Sequence, residues 1–208
     1  MSTPATRMTL LSSRDSLELA TTGVELLQSK REALLADFFK IADITMDSRE
    51  DIAKEIQKAM VQAGLAKSFS GSHLIRAAAL SAGRDIPIQI RHTNIWGIRI
   101  PEIDFLSLRR TPEARGLLPL DTSPHILETA ESYEKILEKL LRTANFEIRL
   151  KRLGEELRKV SRRINALEQT IIPALESQIR DIMETLQERE REDLFRLKHI
   201  KNRKKRMI

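Results

Sequence analysis

The sequence predicts a mainly α fold: a long antiparallel two-helix coiled coil with a small β-hairpin-containing insertion between the helices. Three observations carry that expectation. An apolar seam repeats every 3.5 residues in the C-terminal part, a second seam of the same period runs through the N-terminal part, and residues 83–124 between them hold five of the seven prolines and the single Trp. Composition agrees, with aromatics at 4% and charged residues at 32%. A broad globular core draws on aromatic side chains, which bury the largest areas, whereas chains rich in Leu, Ile, Ala, Glu, Lys and Arg suit long amphipathic helices.

The first helix is expected to start at Thr3-Pro4, a hydroxyl able to cap followed by a proline in the first turn, where its missing N–H costs nothing. Heptad counting from Leu10 places Leu10, Leu17, Val24, Arg31 and Phe38 at one seam position. Ser13, Ala20, Leu27, Leu34 and Ile41 fall at the other, and eight of these ten are apolar. Beyond Ile41 the register falters, and Ile52, Ile56, Ala59 and Ala63 resume an apolar stripe. Gly64, Gly71 and Gly83 then loosen the chain, which predicts helix to about residue 66 and a shorter helical piece near His73 to Ser81.

The second helix is expected from Ser123-Pro124 almost to the end. Its seam is Leu150, Leu153, Leu157, Val160, Ile164, Leu167 and Ile171, at spacings of 3 and 4 in alternation, the mean period that imposes a left-handed supercoil. Further on, Leu175, Ile179, Ile182 and Leu186 keep an apolar seam only if the phase slips beside Pro173. A proline there removes one helical hydrogen bond and crowds the carbonyl of Gln169, so a mild bend is expected.

In the insertion, Ile86, Ile88 and Ile90 alternate with polar or proline positions, as do Trp96, Ile98 and Ile100, the period of half-buried strands. Setting Ile90 opposite Ile98 and Ile88 opposite Ile100 makes Thr93-Asn94-Ile95 a three-residue connection, with Asn94 the candidate for a left-handed conformation. Residues from Phe105 to Ser123 are expected to be irregular, punctuated by Pro112, Gly116 and Pro119. The organisation is thus 1–82 as the first helix plus a short helical segment, 83–124 as the hairpin and loop module, and 125–208 as the long C-terminal helix with a basic tail.

Charge and reactive groups narrow the function. The formal net charge is +6, and its excess sits in the tail as Arg196, Lys198, Lys201, Arg203, Lys204, Lys205 and Arg206, with no acidic residue beside them. Such a run binds nucleic acid, an anionic membrane surface or an acidic protein wall, or is simply a solvated helix end. With no cysteine, thiolate catalysis, disulfides and Cys-based metal sites are excluded. No Gly-rich phosphate loop occurs, and His73, His92, His125 and His199 are far apart, none at the i, i+4 spacing of a helical zinc site. Carboxylate pairs such as Glu155-Glu156 lie on a charged helix whose apolar face is already assigned. These features define no catalytic residue, no cofactor site and no metal site, and no stretch approaches the roughly 20 apolar residues that span a bilayer. The residues read as a non-catalytic helical shaft or adaptor.

The second helix contains Arg162-Arg163-Ile164-Asn165-Ala166-Leu167-Glu168, then Ile172-Pro173, then Glu188-Arg189-Glu190-Arg191-Glu192 and Arg196-Leu197-Lys198. The first contains Pro4-Ala5-Thr6-Arg7-Met8, Gly23, Leu26-Leu27 and Lys30-Arg31-Glu32-Ala33-Leu34. In order and spacing these resemble the D subunits of V-type ATPases and A-type ATP synthases, the family of central-stalk rotor shafts. One departure is Ser12, Ser13, Asp15, Ser16, Thr21 and Thr22, where members of the family usually carry several bases.

The resemblance implies a rotor shaft that transmits torque during ATP synthesis or hydrolysis coupled to ion transport. Its implied partners are catalytic A and regulatory B subunits, an F-type stalk partner, and a membrane-rotor socket subunit of the C/d type. No nucleic acid and no direct membrane insertion are expected, and the implied location is cytoplasmic, peripheral to the membrane within the complex. By the same analogy Arg7, Met8, Phe195, Arg196, Lys198 and Lys201 are candidate contacts with the catalytic hexamer, and Trp96 and Ile98 a candidate hairpin contact. The seam residues named above, Leu27 and Leu34 included, would stiffen the shaft. The competing expectation is a coiled-coil adaptor that binds nucleic acid or anionic membrane through its basic tail.

Overall fold

The computed structural model describes residues 4–117 and 122–205, with side chains to residue 202. Helix α1 spans Arg7–Ser81. Strands β1, Ile88–Ile95, and β2, Ile98–Phe105, form one antiparallel hairpin. A single 3-10 turn covers Glu113–Arg115, and helix α2, Pro124–Ala166, passes through a π-helical turn, Leu167–Ile171, into helix α3, Ile172–Lys205. By contacts the chain divides into two compact units, residues 1–33 with 157–208 and residues 34–156.

Both long helices start on side-chain or backbone caps that the sequence explains. Helix α1 begins one turn later than the Thr3-Pro4 expectation, and Thr3 lies outside the described residues. The cap is Thr6. Its Oγ1 accepts from the Thr9 N–H at 3.2 Å, and Thr9 Oγ1 accepts from the Thr6 N–H at 2.9 Å, a reciprocal pair in the geometry of a capping box. Helix α2 starts at Pro124 as expected, with the Ser123 carbonyl accepting from the Ile126 N–H at 2.9 Å. The expected gap in α1 between residue 66 and His73 narrows to one residue, Gly71, at φ 74° and ψ 161°. Only glycine adopts that combination freely, so the helix breaks there and resumes to Ser81.

In the unit formed by residues 1–33 and 157–208, cross-helix partners run in opposite directions along the chain. Arg7 pairs with Glu190, Arg14 with Met183 and Gln28 with Glu168, an antiparallel arrangement. Ser13, Val24, Val160, Ile164, Ile179 and Ile182 are buried, and Leu27, Leu157 and Leu167 are half-buried. Ile171 corrects the seam, because it is 44% exposed. The phase slip expected beside Pro173 is made just before it, where the Ile172 N–H bonds the Leu167 carbonyl across five residues. Such a turn is wider than an α turn and relieves the clash between the Pro173 ring and the Gln169 carbonyl. Ile172 and Leu175, half-buried, then carry the seam on to Ile179 and Ile182.

In the unit formed by residues 34–156, the seam of α1 does not falter after Ile41. It passes through Thr45 to Ile52, Ala59 and Ala66, all buried, with Leu34 ahead of them. Thr45 is tolerated inside because its hydroxyl donates to the Ile41 carbonyl at 2.7 Å, so the helix itself satisfies the polar group. Ile126, Ile136, Thr143 and Leu153 are buried residues of α2 in this unit, and Leu150 is half-buried. Cross-helix polar pairs again run antiparallel: Arg49 to Glu147 at 2.7 Å, Glu55 to Lys139 at 2.7 Å and to Lys135 at 3.2 Å, and Ser132 to Gln62 at 2.6 Å.

The hairpin exists but its register differs from the expectation. Ile95 pairs with Ile98, Ile90 with Ile103 and Ile88 with Phe105, and the turn is the two-residue Trp96-Gly97. Both turn residues have positive φ, 54° and 79°. Such a turn has the twist that matches right-handed strands, and that match outweighs the cost of a left-handed Trp. Asn94, expected at positive φ, sits in β1 opposite Arg99. Gly97→Val should therefore lower the hairpin's stability by about 1–2 kcal/mol, since a β-branched residue is strained at that φ. Asn94→Val should be nearly neutral. Thermal unfolding of both variants checks the turn, and a larger loss at Asn94 would restore the three-residue connection.

Candidate partner-contact surfaces

Three surfaces stand out, each built from residues whose neighbours explain why it remains open. The first is the end of α3. Arg7 Nη2 donates to Glu190 Oε1 at 2.7 Å, and Arg189 donates to the Ala5 carbonyl at 3.0 Å. These contacts place the start of α1 beside residues 189 and 190, so the following turns of α3 outrun their partner helix. Every residue from 187 to 202 is exposed, among them Leu194, Phe195, Leu197 and Ile200. Arg196 is tied along its own helix to Glu192 at 3.7 Å and Asp193 at 4.0 Å. Lys198 and Lys201 follow, both exposed, with no acid after Asp193. Arg203, Lys204 and Lys205 continue the helix by their backbone, and Arg206 lies outside the described residues. Met8, at the start of α1, is exposed too. A helix end that combines bare apolar side chains with uncompensated bases suits an apolar wall with an acidic rim.

The second surface is the hairpin, which α1 and α2 hold by two polar clamps. The Trp96 indole N–H donates to Asp37 Oδ2 at 2.8 Å, while its ring remains 53% exposed. Asn145 accepts from the Ile103 N–H at 2.7 Å and donates to the Ile103 carbonyl at 2.9 Å. A side-chain amide thus stands where a third strand would, and satisfies both outward backbone groups of Ile103. Ile100 is buried and Ile98 half-buried, whereas Ile88 and Ile90 are exposed.

The third surface lies where α1 ends and α2 begins. A segment after β2 is tied to α2 by carboxylates on the helix. Glu134 accepts from Arg110 Nε at 2.9 Å, from the Arg110 backbone N–H at 2.9 Å and from Arg115 Nη2 at 2.9 Å. Arg115 is only 3% exposed. Burial pushes the Glu134 carboxyl up, but hydrogen bonds from Arg115 and Arg110 outweigh it and hold the group below its ordinary value. Glu138, also buried, is paired with Arg109 at 3.3 Å and Arg142 at 2.6 Å. Arg110 additionally donates to the Ala82 carbonyl and Arg84 to the Leu108 carbonyl, closing the segment against the end of α1. Beside it Ala63, Ile75, Ala79, Leu117, Ile126 and Tyr133 line an apolar groove of about 390 Å³. Val61, Leu65, Phe69, Leu74 and Leu80 are exposed around this end, and Phe69 stacks on His125 at 4.9 Å.

The sequence-based contact residues therefore fall on two of the three surfaces. Arg7, Met8, Phe195, Arg196, Lys198 and Lys201 gather around the α3 end, and Trp96 with Ile98 belong to the hairpin tip. Among the missed residues are Asp37 and Asn145, which fix the hairpin, and the Glu134 cluster. No short-range pattern signals Asp37, Asn145 or Glu134, because each meets its partner 19 or more residues away; within the cluster the Glu138–Arg142 pair sits at i, i+4 spacing. Among the described residues no helix is long and apolar enough to cross a membrane.

Known proteins share this pattern along nearly the whole chain. Residues 9–202 match the family model described as the D subunit of ATP synthase. The V-type ATP synthase D subunit of Thermus thermophilus is 40% identical over 199 residues, covering 95% of this chain and 87% of that protein. The A-type ATP synthase D subunit of Pyrococcus furiosus is 40% identical over 196 residues, covering 94% and 92%. That of Methanoregula boonei is 37% identical over 199 residues, covering 95% of each.

Proposed function

Because the chain belongs to the family of ATP synthase D subunits, and so is a central-stalk subunit of a rotary ATPase, we propose that it is the torque-bearing shaft of a V-type/A-type machine. In this reading it turns inside a hexamer of catalytic A and regulatory B subunits, is held by an F-type stalk partner, and is seated on a socket subunit of the membrane rotor. Its place is cytoplasmic and peripheral to the membrane, and the ATP sites belong to its partners. Nothing in the comparisons supports the alternative of an adaptor for nucleic acid or anionic membrane.

The observation that carries the reading is the α3 end, where bare Leu194, Phe195, Leu197 and Ile200 alternate with Arg196, Lys198 and Lys201 beyond the start of α1. Such a tip suits the interior of a ring. The apolar end around Phe69, Leu74 and Leu80 suits the socket, because burying exposed apolar surface is what a stable seat requires. Within each unit, seam side chains packed into the facing helix resist twisting, since turning one end against the other must unpack them one after another.

The test is affinity purification of the tagged chain from detergent-solubilised native membranes, followed by partner identification and an ATPase assay. Recovery with A-type and B-type nucleotide-binding subunits and an F-type partner is expected. The variant with Arg196, Lys198 and Lys201 all changed to alanine should assemble less well or lose coupling by several-fold. Recovery of the wild-type chain alone would sink the shaft reading, and unchanged coupling in the triple variant would remove the basic end from the contact.

A further inference from the structure

Opposed residues of an antiparallel pair alternate between exchanging backbone hydrogen bonds and turning their N–H and C=O groups outward. The two-residue turn makes Ile95–Ile98 a bonded pair, so Asn94, His92, Ile90 and Ile88 turn theirs away from β2. The partner strand agrees on two counts: Pro101, opposite His92, has no N–H, and Ile103, opposite Ile90, spends its outward groups on Asn145. Helix α2 thus supplies a partner for the outer edge of β2. Among the described residues none bonds the outward backbone groups of Ile88, Ile90, His92 or Asn94 on β1.

That edge is also physically open. All residues from Ile88 to His92 are exposed, Ile90 at 64%. Natural edge strands are normally blunted by lysine, an internal proline, a bulge or a covering loop. Strand β1 has no lysine, proline or bulge inside its span; its one arginine, Arg91, is held by Asp104 on β2, and its exposed face carries β-branched apolar side chains, which favour a further strand.

We propose that the outer edge of β1 is a strand-addition site for an extended, carboxylate-bearing segment of a neighbouring subunit of the rotary complex. Backbone groups spaced along an extended edge are complementary only to another extended backbone, with side chains at alternate positions adding selectivity. Charge chooses the occupant. Strand β1 contains Arg91 and His92 and no acidic residue, and Asp104 on β2 is the carboxylate that already pairs with Arg91. A second copy laid antiparallel about Arg91 would set that arginine directly against its own copy, which is destabilising for opposed like charges. A strand bearing Asp or Glu opposite these bases gains instead. The proposal rests on the shaft reading for the identity of the complex, and the hairpin's docking by Asp37 and Asn145 holds the edge at a fixed orientation on its own unit.

The experiment is hydrogen–deuterium exchange of the purified complex and of the isolated chain, read on peptides covering residues 86–95. Amides of the outward positions should exchange at least tenfold more slowly in the complex. Ile90→Pro removes an outward N–H that the hairpin does not use, at an edge position where proline is tolerated. In complexes carrying I90P the protection at Ile88, His92 and Asn94 should fall to that of the isolated chain. Ile90→Thr, which keeps the N–H and the β-branch, should retain it. Equal exchange in complex and isolated chain would overturn strand addition while leaving the shaft reading intact. Concentration-dependent protection of the isolated chain would assign the edge to a second copy and overturn the proposed occupant. Failure of the wild-type chain to enter any complex would remove both this partner and the shaft reading.

Discussion

Leu153→Ala is expected to lower the stability of this chain by about 3 kcal/mol, within the range for truncating a fully buried leucine. Leu153 is 0% exposed, as is Leu34, and both belong to the unit formed by residues 34–156. Removing three carbons there forfeits their burial and leaves a void that a two-helix seam cannot easily close, because the backbone spacing is set by neighbours that keep their size. For a chain of this length such a loss should lower Tm by roughly 6–12 °C. Ile171→Ala is the matched control. In a seam of strict alternation the two changes would cost alike, but Ile171 is exposed, so its truncation should cost no more than about 0.5 kcal/mol. Thermal unfolding of the two variants separates these cases. Equal losses would mean that the π-helical turn does not take Ile171 off the seam in solution. In the assembled machine Leu153→Ala should also soften the shaft, seen as a reduced ratio of ion transport to ATP hydrolysis at temperatures below unfolding.

The comparison of Leu153 with Ile171 shows what a heptad count can and cannot read. Helix–helix packing repeats over short range, so Leu34, Leu153, Val160 and Ile164 could be placed inside from spacing alone, and they are buried. What disturbs the count is local backbone chemistry that hydropathy does not encode. Pro173 was visible, but whether the chain answers it by a bend or by a widened turn depends on which carbonyl must move. Thr45 misled in the other direction, since a polar residue that bonds its own helix can occupy a seam position. The hairpin was legible from alternation, yet its register was not. Alternation within each strand survives a slip of the partner: Ile90, expected opposite Ile98, meets Ile103, an odd shift of five that puts Ile90 and Ile98 on opposite faces, and only the Trp96-Gly97 turn decides among the registers.

The contact surfaces were legible to the extent that they are contiguous in sequence. The basic end of α3 is a run of neighbouring residues, so charge counting finds it. That it is bare follows from where α1 begins, which the Thr6 and Thr9 cap determines and which a Thr3-Pro4 start would have put a turn earlier. The apolar end around Phe69 and Leu80 reads in sequence as ordinary helical hydrophobicity. Only packing shows which of its side chains have no partner.

Glu134→Gln is expected to have the largest effect of any change outside the seam, about 3–5 kcal/mol in the stability of the unit formed by residues 34–156, or an equivalent local release of the segment around Arg110 and Arg115. The substitution keeps the shape of the side chain and removes its charge. Arg115, 3% exposed, and Arg110, 17% exposed, would then be buried cations without a counter-ion, since the nearest other carboxylate of the cluster, Glu138, is already engaged by Arg109 and Arg142. The same geometry fixes the sign of the pH dependence. Because Glu134 titrates below its ordinary 4.5 when folded, its contribution is complete above that value and is lost as pH falls through the lower, folded-state value. Wild-type stability should thus decline on acidification below about 4.5, and the Glu134→Gln chain should show a shallower decline there, having no carboxylate at this position to protonate. Denaturant unfolding of both chains between pH 7 and pH 3 gives the comparison, with proteolysis near residues 106–117 reporting local release. Parallel pH profiles would show that Glu134 is not the acid-sensitive tie, and a stability loss under 1 kcal/mol would show that the two arginines find water or other partners once it is gone. Since this segment closes against the end of α1 beside the apolar groove, its release should, on the proposed shaft reading, also weaken seating on the membrane rotor, which purification of the variant complex would register as loss of the socket subunit while the catalytic subunits are retained.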